Sequence, residues 1–373
     1  MASGFSLKDQ LFNAEKVAGL ADRFGAASSD FDGAAFQADV MSRMLDLELK
    51  ERIAWIAECL IARLPDALED AGPILVAALP EPLDPTLTDD DFGDFIYAPF
   101  GDVVVALGLE QPGPALALIE EITQRFSMEW AVRPFLNRWP DETLATFHGW
   151  SGHPNYHVRR LVSEGTRPRL PWGQGITLPI ETALPLLDKL HGDPTRYVTR
   201  SVANHMNDVA KKDPDLAMDR LTSWRGTGKQ AEKELGWMTS HALRGLVKAG
   251  NARAMVMLGY DPDAAVELTA LSLPKTARIG DAVAVEFTLT APEKTPVLVD
   301  YVFSRPRADG KMSEKVHKVK QAVLRAGTPM SFAKTHRLKG DATTYRLFPG
   351  THRIDVQVNG RILGGADLEV TEA

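Results

Sequence analysis

Glu164 stands at the predicted end of a helix, immediately before a Gly-Thr-Arg-Pro sequence. Glycine commonly ends a helix and proline prevents it from continuing, so the pattern predicts a helix over 155–164 with Glu164 in its last turn. The partial negative charge of a helix C-terminus disfavours a carboxylate there by about 0.3–1 kcal/mol. A residue that breaks a local preference is a candidate for functional selection. The alternative is a surface glutamate paired with Arg160 or Arg167.

Two further carboxylates are candidates for the same site. Arg200, Asn204 and Asp208 recur every four residues and lie along one face of a predicted helix, where aspartate is a poor helix former. Glu129 follows a serine that suits a helix N-cap, and it faces Arg133 four residues later. For both carboxylates the alternative is a structural role on a solvated surface.

Aromatic and histidine side chains gather in the same region of the sequence. They are Trp130, Trp139, His148, Trp150, His153, His157 and Trp172. Trp172 lies in a proline-bounded loop, where an indole can stack on a base, particularly a cationic one. The alternative is a loop tryptophan packed over the next helix pair. His153 and His157 have a spacing that could seat a metal, but no HExxH or CxxC pattern accompanies them, so we predict no metal site.

An internal repeat predicts how these side chains are positioned. Residues 153–164 and 193–204 resemble each other at an offset of 40 residues, and a weaker third copy runs over 241–250. This period is typical of HEAT and armadillo helix pairs, and each inner helix is expected to begin with proline at its first position. Arg160 and Arg200 then occupy equivalent positions of adjacent repeats, a spacing that suits successive phosphates.

The hydrophobic period changes from helical to alternating near residue 261. We therefore predict a multidomain chain, with an all-α HEAT-like helical-repeat solenoid over 1–260 and an all-β immunoglobulin-like sandwich over 261–373. The predicted strands are 266–273, 282–290, 296–304, 316–324, 330–338, 351–358 and 362–371.

The charge distribution permits a polyanionic partner although the net charge is −8. Residues 1–123 carry 7 Lys and Arg against 23 Asp and Glu, whereas 124–260 carry 19 against 13 and 261–373 carry 16 against 14. The acidity is confined to the first third, so the remainder can face nucleic acid. The alternative is a merely asymmetric surface.

The sandwich carries a basic run between Arg305 and Arg325. Lys318 and Lys320 alternate along one strand, so they share a face that could contact phosphates. A solvated hairpin explains the run equally well.

Cysteine usage and hydropathy restrict the class of protein further. Cys59 is the single cysteine, which excludes an intrachain disulfide framework, and its apolar neighbours predict a buried thiol. No stretch resembles a signal peptide or a membrane-spanning segment. We expect a cytoplasmic protein without membrane association, and a monomer.

Three of these segments resemble a known family. They are Arg133-Pro-Phe135, the run from Arg160 to Trp172, and Ser201-Val-Ala-Asn-His-Met-Asn-Asp208. They resemble the AlkC branch of the AlkC/AlkD-like DNA alkylation repair glycosylases, in the subset with a C-terminal immunoglobulin-like domain. The resemblance implies hydrolysis of the N-glycosidic bond of 3-methyladenine and 3-methylcytosine in DNA, without flipping of the lesion. It implies that the carboxylates around the lesion are Glu129, Glu164 and Asp208, and that Trp172 stacks on it.

The expected partner is double-stranded DNA containing alkylated bases, with no cofactor. The residues expected to contact DNA are Arg133, His153, Arg159, Arg160, Arg167, Arg169, Arg200, Asn204, Arg305, Arg307, Lys311, Lys318 and Lys320.

The chemistry agrees with these residue types. Methylation at ring position 3 makes the base a cationic leaving group, so little acid catalysis is needed, and a carboxylate stabilises the oxocarbenium character of the sugar. A second carboxylate can position or deprotonate the attacking water. No lysine is expected in the cluster, which argues against a Schiff-base lyase step and for a monofunctional glycosylase.

Two other functions remain open on the sequence. A non-catalytic HEAT-repeat scaffold predicts carboxylates dispersed over the surface, whereas the glycosylase predicts that they converge on one concave cavity beside Trp172. A protein that binds DNA through its sandwich alone predicts that deletion of 262–373 abolishes all binding.

Overall fold

The structure is a computed structural model that describes residues 6–89, 92–340, 342 and 345–372. The chain forms two compact units, Met1–Ala242 and Leu243–Ala373. No helix in the described ranges is long and apolar enough to cross a membrane.

The first unit is helical. Its described α-helices are α1 (Leu7–Leu11), α2 (Ala14–Ala27), α3 (Gly33–Arg43), α4 (Leu49–Ile61), α5 (Leu68–Ala77), α6 (Ala98–Gly108), α7 (Pro112–Thr123), α8 (Val132–Arg138), α9 (Pro140–Trp150), α10 (Tyr156–Gly165), α11 (Leu184–Leu190), α12 (Arg196–Lys212), α13 (Pro214–Arg225) and α14 (Glu232–Ala242). The helical class predicted for this part of the chain is confirmed. Cys59 is buried in α4, as its neighbours predict.

The two copies of the internal repeat become α10 and α12, which pack against each other. Val158 and Val198 occupy equivalent positions of the two helices, and both are fully buried. The 40-residue offset therefore reflects two helices that bury the same face.

The predicted position of the prolines is wrong. Each proline lies two residues before its helix, and the residue between them, Asn155 or Thr195, is the N-cap. The side chain of Asn155 accepts a hydrogen bond from the His157 amide at 2.9 Å at the start of α10. The side chain of Asp193 accepts one from the Thr195 amide at 2.8 Å before α12. Such side chains satisfy backbone donors that have no partner within the helix.

The predicted third copy over 241–250 does not form one helix. Helix α14 ends at Ala242, and a separate short helix covers Arg244–Lys248. Helix α14 itself packs on α12, so the row of packed helices continues through a segment that the repeat pattern did not mark.

Close packing explains the glycine at the end of α10. A Cβ atom at Gly165 would lie 2.6 Å from Cγ2 of Val132 in α8, a separation that side chains do not tolerate. Gly165 is the last residue of α10, as the sequence predicts, but its backbone is not left-handed. The residue is small because α8 approaches α10 here, and this approach brings the segments around Glu129 and Glu164 together.

The second unit contains two short helices and eight described strands. They are α15 (Arg244–Lys248), α16 (Ala252–Met257), β1 (Glu267–Ser272), β2 (Thr276–Arg278), β3 (Ala282–Thr290), β4 (Thr295–Pro306), β5 (Met312–Leu324), β6 (Met330–Arg337), β7 (Gly350–Val358) and β8 (Arg361–Thr371). The strands form a three-stranded sheet in the order β1-β3-β6 and a five-stranded sheet in the order β2-β8-β7-β4-β5. All pairs are antiparallel except β2 with β8.

The core of the second unit lies between the two sheets. Strand β3 alternates strictly, so Val283, Val285, Phe287 and Leu289 are buried while the residues between them are exposed or half-buried. The facing side chains come from the other sheet, with Tyr301 among them. This arrangement confirms the predicted all-β fold class.

All seven predicted strands are present, and β3 has the bounds that the alternation predicts. Strand β2 was not predicted, because it is a three-residue strand that pairs through its backbone with the end of β8. The change from helices to strands falls between Met257 and Glu267, and the predicted boundary near residue 261 lies in this interval. The compact units divide earlier, after Ala242.

Candidate active site and nucleic-acid interface

Two adjacent helices position two of the three candidate carboxylates. Glu164 lies in the last turn of α10 and Asp208 in the last part of α12, and each is 4% exposed. A carboxylate at this depth needs partners, because burial of an unpaired charge is strongly unfavourable.

Glu164 has partners on both of its oxygens. Oε1 accepts a hydrogen bond from Arg167, and Oε2 accepts one from the Ser201 hydroxyl at 2.6 Å. Nη2 of Arg160, one turn earlier on α10, lies 3.6 Å from the same Oε2. The pairing considered from sequence therefore exists with both arginines, but the glutamate is buried and not on the surface.

Arg167 joins the two helices through their carboxylates. Its Nε and Nη2 donate to Oδ2 of Asp208 at 2.9 and 2.8 Å, while its Nη1 donates to Glu164. A guanidinium suits this bridge, because its donors form a rigid planar fork.

Glu129 joins the same network through Arg160. Nη1 of Arg160 donates to Glu129 Oε2 at 2.5 Å and to the Ser127 hydroxyl at 2.8 Å. The guanidinium also lies over the ring of Tyr197, 4.7 Å from its centroid. The three candidate carboxylates and two arginines thus alternate in one continuous network, here called the carboxylate network (Glu129, Arg160, Glu164, Arg167 and Asp208).

The charges of this network keep Glu164 ionised. Burial by itself raises the pKa of Glu164, but the positive charges of Arg160 and Arg167 and the hydrogen bond from Ser201 outweigh it. The pKa of Glu164 is therefore below its usual value. Burial likewise lowers the pKa of Arg160, but the negative charge of Glu129 outweighs it and raises that pKa.

The predicted local setting of Glu129 is wrong. Ser127 donates to the Glu129 carboxylate at 2.9 Å instead of capping a helix, and α8 begins only at Val132. Arg133, the predicted partner of Glu129, points elsewhere. Glu129 pairs with Arg160 because the turn that precedes α8 carries it toward α10.

Lys211 enters the cluster, contrary to the expectation that no lysine lies there. Its Nζ is 3.1 Å from Oδ1 of Asp208, and its side chain is 55% exposed. Lys211 was not expected there because it follows Asp208 by three residues and so does not continue the four-residue recurrence of Arg200, Asn204 and Asp208. The lack of a lysine is therefore no argument against a lyase step.

Arg133 has a structural position, so the prediction that it contacts DNA is wrong. It is fully buried, and Nη1 donates to the backbone carbonyls of Gly165 and Arg167, each at 2.9 Å. Its Nε donates to the carbonyl of Gln174 at 2.5 Å. Arg133 therefore holds both ends of the loop that carries Trp172.

Trp172 is held in an exposed and unusual conformation. Its side chain is 52% exposed, and its φ of 70° lies in the left-handed region that non-glycine residues rarely adopt. Lys50 donates to its carbonyl at 3.2 Å. A strained backbone with an exposed indole is a frequent property of functional sites, because the surrounding structure must maintain it.

A small pocket lies beside Trp172, and sequence reasoning missed Lys50 and Asp102 among the residues that line it. The pocket has a volume of about 150 Å³ and is lined by Lys50, Ile53, Asp102, Trp130 and Trp172. The pKa of Asp102 is raised, because burial outweighs a hydrogen bond from Trp130 that acts in the opposite direction. The signal in the sequence is that Asp102 is the sole charged residue of the apolar helix α6.

The predicted convergence of the carboxylates is found, but they do not converge around the pocket beside Trp172. Among the three, Glu129 is the most accessible, with a side chain that is 20% exposed against 5% for Glu164 and 4% for Asp208.

The other predicted DNA contacts of the first unit differ in accessibility. Arg169 is exposed, in the same loop as Trp172. Arg159 pairs with Asp193, Arg200 pairs with Asp89, Asn204 bonds with His241, and His153 lies 3.2 Å from Glu120. A phosphate must compete with these partners, whereas Arg169 is directly accessible.

In the second unit the predicted contacts lie on β4, on β5 and on the turn that joins them. Arg307, Lys311, Lys318 and Lys320 are exposed, and Arg305 is half-buried with its guanidinium 4.0 Å from the ring centroid of Tyr345. Within the described ranges, no three His, Cys, Asp or Glu side chains are grouped to hold a metal ion.

Comparisons with known proteins agree with this architecture. Residues 267–372 match the family model described as the C-terminal Ig-like domain of uncharacterised protein YhaZ. The chain is 31% identical over 366 residues to the uncharacterized protein YhaZ of Bacillus subtilis (strain 168). The aligned region covers 97% of this chain and 98% of that protein.

A solved structure resembles the chain over its whole length. It is the alkylpurine DNA glycosylase AlkC of Pseudomonas fluorescens, bound to DNA containing an abasic site analog. The TM-score is 0.88 and the identity 30%, over 98% of this chain and 100% of that one. The fold, helices followed by an immunoglobulin-like sandwich, is that of a DNA alkylation glycosylase. The chain belongs to the AlkC branch of the AlkC/AlkD-like glycosylase family, in the subset with a C-terminal immunoglobulin-like domain.

Proposed function

We propose that this protein is a monofunctional DNA glycosylase that hydrolyses the N-glycosidic bond of the cationic bases 3-methyladenine and 3-methylcytosine. The observation that carries the proposal is the carboxylate network on α10 and α12, beside the loop that presents Trp172. The resemblance to a glycosylase bound to abasic DNA supports it.

The carboxylates have the charge that this reaction requires. A 3-methylated base leaves as a neutral molecule, so the barrier lies mainly in the positive charge that develops on the sugar. Glu164 is kept ionised by its arginine partners, and it stabilises that charge electrostatically. Asp208 or Glu129 then orients the attacking water.

The surface around Trp172 supports a proposal that the lesion is recognised without base flipping. The adjoining pocket has a volume of about 150 Å³, below the roughly 300–1,000 Å³ of most ligand sites, so it does not accommodate a flipped nucleotide. The exposed indole of Trp172 instead offers a flat face on which a cationic base stacks.

DNA binding is proposed to use exposed cations. Arg169 lies in the Trp172 loop, and Lys318 and Lys320 lie on β5. Each contact with a phosphate releases counterions, so the affinity for duplex DNA falls steeply with salt. An affinity that does not change between low and moderate salt contradicts these assignments.

Lys211 does not make the enzyme a lyase. Its Nζ is paired with Asp208, and we propose that it has no nucleophilic role. Borohydride added during turnover is expected to trap no covalent protein–DNA adduct. An adduct that disappears in Lys211→Ala contradicts monofunctional chemistry.

A non-catalytic DNA-binding scaffold is the second candidate. It is favoured by the burial of Glu164 and Asp208, because a glycosylase was expected to have these carboxylates in a concave cavity. Release of methylated base from duplex DNA separates the two functions, because the scaffold binds DNA and releases nothing.

A further inference from the structure

A second cleft lies in the sandwich, at the edges of its two sheets. It has a volume of about 610 Å³ and is bounded by β5 of the five-stranded sheet and by β6 of the three-stranded sheet. Tyr301 of β4 contributes to its lining as well. This cleft is four times the volume of the pocket beside Trp172.

Five cationic side chains line this cleft. They are Lys315, Lys318, Lys334, Arg337 and Lys339. In the part of the chain that the structure describes, none of the five pairs with a carboxylate, whereas the arginines around Glu164 do. Like charges gathered around one concavity repel one another, and an anion in the concavity removes that repulsion.

Buried polar groups between the two walls also lack partners. His336 is 5% exposed, and its Nδ1 is 2.7 Å from the hydroxyl of Tyr301, but its Nε2 has no hydrogen-bond partner. His317 stacks on Tyr301 with ring centroids 5.0 Å apart, and its Nε2 has no partner either. A buried polar atom without a hydrogen bond is unfavourable, and two such atoms lie beside this one cationic cleft.

We propose that the cleft between β5 and β6 binds a phosphate group. The lysines supply point charges, and Arg337 supplies a planar fork that matches two phosphate oxygens. When the Tyr301 hydroxyl donates to Nδ1, the neutral ring of His336 carries its proton on Nε2, the atom that has no partner. An acceptor with several oxygens satisfies these donors together, which a chloride ion does not.

The surroundings of His336 provide a direct reporter of occupancy. Burial, with the charges of His317 and Lys315 and the influence of His352, lowers the pKa of His336 to about 4. The group is therefore neutral in the empty cleft at pH 7. A phosphate dianion nearby stabilises the protonated ring and raises this pKa.

The phosphate can belong to a DNA backbone or to a free phosphomonoester. Lys318 is shared with the DNA contacts that the sequence predicts, whereas Lys334, Arg337 and Lys339 extend the cationic surface onto the other sheet. The proposal concerns phosphate binding alone, and it stands even if the protein releases no methylated base.

The test uses the full chain with labelled histidine and follows the imidazole signals by NMR. Inorganic phosphate, deoxyadenosine 5′-monophosphate and an unmodified short duplex are added in separate titrations. Lys334→Ala/Arg337→Ala removes two exposed cations from the cleft, and Lys275→Ala/Lys294→Ala removes two exposed sandwich cations outside its lining.

We expect at least one probe to shift the His336 signal and raise its pKa. The affinity for that probe should fall about tenfold or more in Lys334→Ala/Arg337→Ala and should not change in Lys275→Ala/Lys294→Ala. Response to phosphate or the mononucleotide identifies a free phosphomonoester site, and response to the duplex alone identifies a backbone site. No response of His336 to any probe, or equal affinities in the two variants, overturns the proposal.

Discussion

Arg167 donates two hydrogen bonds to one oxygen of Asp208, from Nε at 2.9 Å and from Nη2 at 2.8 Å. Its remaining terminal nitrogen donates to Glu164. A single cation thus holds carboxylates from two helices, and it lies on the loop that follows α10. The geometry of the candidate site therefore depends on one residue that belongs to neither helix.

Removal of Arg167 is expected to destabilise the fold. Arg167→Ala leaves Glu164 and Asp208 buried without their shared partner, so the free energy of unfolding should fall by about 3–5 kcal/mol. Arg220→Ala is the matched control, because its ion pair with Asp188 is about one-third exposed and contributes about 0–1 kcal/mol. Denaturant unfolding measures both. Equal losses in the two variants contradict a buried bridging role.

The pH dependence of stability reports the ionisation of Glu164. Its pKa is lower in the folded protein than its ordinary value of 4.5, so the ionised form stabilises the fold above that pH. This stabilisation is lost as the pH falls through the folded-state pKa. The difference in unfolding free energy between wild type and Glu164→Gln should therefore shrink as the pH is lowered from 4.5. A difference that grows on acidification contradicts a depressed pKa.

Substitution of Arg133 should lower stability, whereas substitution of Arg169 should weaken DNA binding. Arg133→Ala removes bonds to three backbone carbonyls, so it should lower stability by about 3 kcal/mol or more and expose the 166–175 loop to proteolysis. Arg169→Ala removes an exposed cation, so it should leave stability within about 0.5 kcal/mol and weaken DNA binding. Thermal melts, limited proteolysis and binding titrations distinguish the variants. The reverse pattern contradicts the structural assignment of Arg133.

The fold was largely predictable because its signals are local. The period of two over β3 marks that strand, and the 40-residue offset marks α10 and α12. The start of α10 was misplaced, because Pro154 and Asn155 are adjacent and both residue types suit a helix start. The hydrogen bond from the His157 amide to the Asn155 side chain makes Asn155 the cap. The short strand β2 depends on the backbone of β8, which no local pattern reveals.

The candidate site was predictable in its carboxylates and in only part of its contacts. Glu164 and Asp208 each break a helix preference, and this made them visible in the sequence. Arg160 and Arg167 lie within about one helical turn of Glu164, and the sequence offered both as its partners. Ser201 is 37 residues from Glu164 and Arg167 is 41 residues from Asp208, so no spacing rule identifies those two contacts. The burial of Arg133 follows from the loop that wraps around it, and a motif alone does not distinguish this from a surface arginine.

Trp172 is expected to act in recognition and not in folding. Trp172→Ala removes a half-exposed side chain, so stability should change by less than about 1 kcal/mol. Loss of stacking should lower the rate of base release about 10–100-fold, since base–aromatic stacking contributes about 1–3 kcal/mol. Trp172→Phe retains an aromatic face and should recover part of the rate. Single-turnover kinetics measure the three proteins, and an unchanged rate in the alanine variant contradicts the stacking role.

The most direct test of the account is release of 3-methyladenine and 3-methylcytosine from duplex DNA by wild type, Glu164→Gln and Asp208→Asn. Asp188→Asn serves as the control, because it alters a paired carboxylate outside the carboxylate network. We predict release by wild type and by the control, and a loss of about 10²–10³-fold in folded Glu164→Gln and Asp208→Asn that still bind DNA. Absence of release by folded wild type, or full activity in both network variants, contradicts the proposed glycosylase mechanism.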